Sequence, residues 1–186
     1  MTLFRTILAV CTALVLSACS TVGVGPGPGG NSLDPLRDDV ASTVIAFDLP
    51  RGLGPAKGSL FTYDVSNGGA AEHLRLTPLQ ADVDQLPAGL PAPAADRAYY
   101  LFAFSETDRL AIRNAQLSAQ GRGATAQQVT IGMIPKLCTA GPVDSNSATV
   151  SVFAVLPGRA PLPFLNNQLL AVLLQQPGSN QMGPCA

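Results

Sequence analysis

Apolar residues recur at every second position in several segments of this chain, and that period restricts those segments to β-strands. In Thr43–Leu49, for example, Ile45, Phe47 and Leu49 share one face. Alternation of this kind puts the apolar side chains of a strand on its buried side. Turn residues separate five further β-rich segments: 59–65, 72–77, 98–104, 129–133 and 149–156. The sequence predicts a mainly β domain, an antiparallel immunoglobulin-like β-sandwich with one or two short helices.

One segment departs from this period and indicates a helix over residues 106–120. Ser105 and Asp108 have the spacing of a capping box, and Gly121 is a typical helix stop. The residues that share one face at helical spacing are Leu110, Ala111, Asn114 and Leu117. A second segment, Phe164–Gln175, fits a helix only slightly better than a strand.

Charge excludes two classes of protein. Charged residues make up 12% of the chain, about half the usual share of roughly 25%. The formal net charge is −1, so the chain lacks the basic surface on which nucleic-acid binding depends. Abundant apolar residues at low net charge also exclude wholesale disorder.

The N-terminal 18 residues have the pattern of an export signal. Arg5 precedes an apolar run from Ile7 to Leu16. That run is too short for a transmembrane helix, which needs about 20 residues, but it fits the apolar region of a signal peptide.

The end of that run, Leu16-Ser17-Ala18-Cys19, resembles the lipobox of bacterial lipoproteins. The resemblance implies that residues 1–18 are removed and that Cys19 is lipidated, which would attach the protein to a membrane because two acyl chains anchor stably. Ser20, where an Asp would favour the inner membrane, implies the outer membrane. The alternative is an ordinary signal peptide, or a short membrane helix, that happens to contain a cysteine.

A Gly/Pro-rich stretch follows, and we define residues 19–39 as the tether. Its Gly and Pro residues favour neither helix nor sheet, and a flexible coil of about 20 residues spans about 25 Å. Asp38 and Asp39 fit a solvated end of this linker. The predicted organisation is a signal peptide over residues 1–18, a lipidated flexible tether over 19–39 and a β-sandwich domain over 40–186.

The domain as a whole resembles uncharacterised small lipoproteins of the Gram-negative envelope. The matching residues are Leu49-Pro50, Tyr99-Tyr100-Leu101, Asp108-Arg109-Leu110 and Cys185. The resemblance implies a location in the cell envelope, but it implies no activity.

Two cysteines remain in the domain, Cys138 and Cys185. An exported chain meets an oxidising compartment, and two cysteines allow only one pairing, so we expect a disulfide. The competing interpretation is a thiol nucleophile or a metal ligand.

Candidates for catalysis are few. His73 is the single histidine, and strand alternation places it opposite Leu74, on the solvent side. A Ser-His-Asp device would have to use it, and the chain has no GxSxG motif. Asp82 and Asp84 are too sparse for a calcium loop. We therefore expect no catalytic residue, no metal and no cofactor.

These observations favour a lipid-anchored, non-catalytic interaction or accessory domain at the outer membrane, with a protein of the envelope as its partner and no role in nucleic-acid binding. The alternative is a periplasmic solute- or lipid-binding module. Its mostly apolar pocket would lie between the sheets or under the Pro- and Ala-rich connection of residues 78–97.

Overall fold

The computed structural model describes residues 22–24, 33–67, 70–81, 86–125, 128–175 and 182–185, and within them it is mainly β. The strands are β1 (Val22–Val24), β2 (Val44–Pro50), β3 (Leu53–Pro55), β4 (Leu60–Asn67), β5 (Ala70–Leu76), β6 (Leu79–Gln80), β7 (Arg97–Ala103), β8 (Val129–Ile134), β9 (Leu137–Thr139), β10 (Thr149–Val155) and β11 (Leu162–Leu169). The α-helices are α1 (Glu106–Gly121) and α2 (Leu170–Leu174).

These strands form antiparallel sheets. The first sheet has the order β1-β8-β4-β5, the second has the order β11-β10-β2-β7-β6, and β3 pairs with β9 in a small ribbon. Each of the six predicted segments is a strand. The expected class, a mainly β antiparallel sandwich with one or two short helices, is confirmed.

The alternating residues supply the core between the sheets. Phe61, Tyr63 and Val65 of β4 are buried, as are the predicted apolar residues of β2. Phe61 also contacts Phe104 edge to face, with ring centroids 4.7 Å apart. Such pairs add to the burial of apolar surface that stabilises both sheets.

Helix α1 begins as predicted but turns a different face to the core. The Ser105 Oγ accepts a hydrogen bond from the Asp108 backbone N–H at 3.1 Å, which is the expected cap. The helix ends one residue later than predicted, and Gly123, not Gly121, takes the left-handed conformation with φ of 72°. The face with Leu110 and Leu117 is exposed, and the buried residues of α1 are Ile112, Ala115, Gln116 and Ala119.

The ambiguous segment Phe164–Gln175 contains both kinds of structure. Its first part belongs to β11, and α2 follows directly, with Leu170 and Leu173 buried. The sequence supported both interpretations because each is correct for one half.

The packed domain begins earlier than Val40, the boundary predicted from sequence. Leu33 and Leu36 lie in the hydrophobic core. The Pro35 carbonyl accepts hydrogen bonds from the Tyr63 hydroxyl and from Gln116 Nε2, both at 2.9 Å. These contacts fix a segment that composition alone had assigned to the tether.

Asp38 and Asp39 belong to the packed domain and not to a free linker end, although Asp39 is exposed to solvent. Asp38 Oδ2 pairs with Arg159 Nη1 at 2.7 Å. Asp39 caps a short 3-10 helix, Val40–Ser42, by accepting a hydrogen bond from the Ser42 N–H.

The tether also contains strand β1, which pairs with β8 and lies beside β11. Val22 is opposite Met133 and Val24 is opposite Ile131. The pairing attaches the start of the chain to one edge of the first sheet, so the freely hanging coil expected from composition is interrupted close to Cys19.

Candidate functional site

The lipidation candidate Cys19 and the acidic pair Asp82 and Asp84 lie outside the described residues. Within the described part of the chain, no helix is long and apolar enough to cross a bilayer.

Cys138 and Cys185 are joined as a disulfide, as the sequence predicted, with an S–S distance of 2.07 Å. Cys138 is buried in β9, and because its sulfur is used in the disulfide it offers no thiol. Backbone hydrogen bonds reinforce the bond, because the Cys185 N–H donates to the Thr139 carbonyl and the Thr139 N–H donates to the Gly183 carbonyl, both at 2.9 Å. The bond and these contacts hold the C-terminal segment against β9, which is a structural role.

His73 points to solvent, as strand alternation predicted, and its side chain is 64% exposed. Its Nδ1 lies 2.9 Å from Asp64 Oδ1 on the neighbouring strand β4. A His–carboxylate pair can orient a general base, but no Ser, Thr or Cys side chain is bonded to this imidazole among the described residues. The pair is an exposed cross-strand contact of the kind that stabilises sheets modestly.

Several other carboxylates bond to backbone groups or form single ion pairs. Asp144 stabilises its own turn: the Asn146 N–H and then the Ser147 hydroxyl hold the pKa of this carboxyl below its usual value. Across residues 33–67, 70–81, 86–125, 128–175 and 182–185, no three His, Cys, Asp or Glu residues group as metal ligands would.

Arg97 and Asp48 form the best-shielded ion pair of the described residues. Arg97 Nε donates to Asp48 Oδ1 at 2.7 Å, and Arg97 Nη2 donates to the Asp48 carbonyl at 2.7 Å. Burial raises the pKa of the adjacent Tyr99, the negative charge of Asp48 raises it further, and Arg97 opposes the shift. The guanidinium also reaches the Thr149 carbonyl, so it joins β7, β2 and β10 and has no free donor face for a ligand.

One open cleft, with a volume of about 550 Å³, lies beside the 78–97 connection. It is lined by Ser42, Val44, Pro87–Gly89 and Val155–Ala160. The sequence located one wall, the connection, but the opposite wall comes from the turn after β10 and depends on tertiary packing that periodicity does not reveal. Its polar side chains are Ser42 and Arg159, and Arg159 already pairs with Asp38.

No protein-family model, curated protein or solved structure matches this chain.

Proposed function

We propose that this protein is a lipid-anchored, non-catalytic interaction domain of the bacterial envelope, held at the outer membrane through an acylated Cys19 and directed at a protein partner on the same membrane. The observation that carries the proposal is the orientation of α1, which buries Ile112, Ala115, Gln116 and Ala119 and leaves Leu110 and Leu117 exposed to solvent.

Leu110 and Leu117 stand two turns apart on the outer side of α1 and are 58% and 65% exposed. Arg113 and Asn114 lie between them on the same side and are also exposed. Two large aliphatic side chains framed by polar groups form the kind of patch that protein partners cover. We call these four residues the outer face of α1.

The reactive side chains support a binding role over turnover. Cys138 is used in a disulfide, and His73 is paired with Asp64 on an open sheet face. A membrane anchor raises the local concentration of a partner on the same surface, which suits an interaction domain.

A second candidate function is solute binding in the cleft beside Pro87–Gly89, which is favoured by its volume of about 550 Å³. Specific small-molecule sites combine apolar walls with several convergent polar groups. Ser42 and the ion-paired Arg159 supply few such groups, so this candidate ranks second.

The anchor is tested by Cys19→Ala in cells fed labelled palmitate. We expect this variant to lose the label and to leave the membrane fraction, because the thiol that would carry the lipid is gone. Cys11→Ala is the matched control, since Cys11 lies within the segment that would be removed. Palmitate retained in Cys19→Ala would contradict the anchor.

The interaction surface is tested by cross-linking in intact cells. The double variant Leu110→Ser, Leu117→Ser should lower the yield of the cross-linked envelope protein at least about tenfold, because buried anchor residues dominate interface energies. Leu79→Ser is the control: Leu79 is also exposed but lies on β6. If the unsubstituted protein, the double variant and Leu79→Ser all give the same yield, the outer face of α1 is not the interaction surface.

A further inference from the structure

Strand β1 begins at a defined end of the sandwich. Val22 is opposite Met133 near the end of β8, and Ile134 is opposite Leu60 at the start of β4. The chain preceding β1 therefore leaves the sheet where β8 ends and β4 begins. We call this the β1 end.

The distance from this end to Cys19 is limited by chain length. Three Cα steps separate Cys19 from Val22, and an extended chain advances at most about 3.6 Å per residue. The Cα atom of Cys19 therefore lies within about 11 Å of the Val22 Cα atom. If Cys19 is acylated, as the proposed function holds, the β1 end stays close to the lipid headgroups.

Both lysines of the chain lie at this same end. The Lys136 N–H donates to Ser59 Oγ at 3.0 Å, and the Lys136 carbonyl accepts from the Ala56 N–H at 2.8 Å. These two bonds attach Lys136 to the turn that contains Lys57. Gly58 turns the chain there with a φ of 91°, and a Cβ built on it would lie 4.0 Å from Lys136 Nζ.

Neither ammonium group has an acidic partner among the described residues. The salt bridges between described residues are made by Arg37, His73, Arg97 and Arg159 instead. Lys57 is exposed and Lys136 is half-buried. Two positive charges on neighbouring turns, without acidic partners among the described residues, are therefore free to meet negative charge from outside the protein.

The remaining charges at the two ends largely offset one another. At the β1 end, the Asp144 carboxylate accepts hydrogen bonds from the Asn146 N–H and the Ser147 hydroxyl of its own turn. The opposite charges of Asp96 and Arg51 at this end offset one another, because the Arg51 N–H donates to the Asp96 carbonyl and holds the two residues side by side. The opposite end, where β2 starts and α1 begins, carries both signs of charge: Asp34, Asp38, Asp39, Glu106 and Asp108 together with Arg37, Arg109, Arg113, Arg122 and Arg159.

We propose that the β1 end, through Lys57 and Lys136, rests on the anionic headgroups of the bilayer that holds the acylated Cys19. The proposal rests on the lipid anchor and adds an orientation to it. The surface potential of anionic lipids falls off within a Debye length, about 8 Å at physiological salt, so it acts on Lys57 and Lys136 when the β1 end rests on the headgroups. The outer face of α1 then points away from the bilayer, since α1 joins the end of β7 to the start of β8 at the opposite end.

Amine labelling tests this orientation directly, because Lys57 and Lys136 are the only lysine side chains in the protein. The full lipidated protein is reconstituted into phosphatidylglycerol-rich vesicles or into pure phosphatidylcholine vesicles. A membrane-impermeant amine reagent is added, and the labelling rate of each lysine is followed by peptide mass spectrometry. We expect about fivefold slower labelling on the anionic vesicles, the factor that corresponds to the favourable interaction of one lysine with such a surface.

The control variant Arg113→Lys places a reporter amine on α1, at the opposite end. Its labelling rate should be the same on both kinds of vesicle, and high salt should abolish the protection of Lys57 and Lys136. If the protein floats with both vesicles but Lys57 and Lys136 label at equal rates, the orientation is wrong and the anchor stands. If the native protein does not float with either vesicle, the anchor is wrong and the orientation falls with it.

Discussion

Replacing Cys138 and Cys185 together by alanine should lower the melting temperature of the domain by roughly 10 °C or more. The bond joins residues separated by 47 positions, and closing a loop of this length removes about 4 kcal/mol of conformational freedom from the unfolded chain. In a domain of this size each kcal/mol corresponds to a few degrees in melting temperature.

Calorimetry with and without reductant checks this result. The unsubstituted protein should lose the same stability when it is reduced, and the alanine double variant should not respond to reductant. Both proteins keep the backbone hydrogen bonds between Thr139 and the segment Gly183–Cys185. Identical melting temperatures for the oxidised protein and the double variant would contradict a stabilising role for the bond.

Ile112→Ala should reduce the free energy of unfolding by about 2–5 kcal/mol, because it opens a cavity in a packed core. Ile112 is 0% exposed on the inner side of α1, among Ala115, Gln116 and Ala119. Leu117→Ala removes a side chain of similar size from the outer side of the same helix, where an exposed substitution changes stability by only about 0.5 kcal/mol.

Urea unfolding followed by circular dichroism measures both variants on one scale. A loss for Leu117→Ala equal to that for Ile112→Ala would show that the helix packs through its leucines. The result would also remove the exposed patch on which the proposed protein interaction depends.

The sequence predicted the sheets well but assigned the wrong face to α1. Strand alternation is a strong signal in β4 because Phe61, Tyr63 and Val65 alternate with Thr62, Asp64 and Ser66, which must face the other way. On α1 the two leucines, Leu110 and Leu117, define a face that no other element of the described residues covers. The covered side includes Gln116, whose burial depends on carbonyls of Pro35 and Asp38, and nothing local in the sequence reveals those partners.

The sequence also placed the start of the domain too late, because contacts with distant residues, and not local composition, determine that boundary. Leu33 and Leu36 stand in a stretch rich in Gly, Pro and Asp, so composition assigned them to the tether, although both are buried. The disulfide was predictable because a chain that is expected to be exported keeps only Cys138 and Cys185 in its domain, and two cysteines allow a single pairing. The sequence shows Lys57 and Lys136 as two distant residues. Their proximity depends on the pairing of β3 with β9 and on the turn before β4, which local sequence does not reveal.

The pairing of β1 with β8 has a mechanical consequence. If Cys19 is acylated, as we propose, a pull from the bilayer reaches the sandwich at Val22, the first residue of β1, and is directed along β1 away from the sandwich. The hydrogen bonds of an antiparallel pair run across the strands, so this pull shears them together rather than opening them one after another. We therefore expect the pairing of β1 with β8 to resist this pull. The pairing should fail only when the three residues of β1 slip past Ile131 and Met133 as a unit.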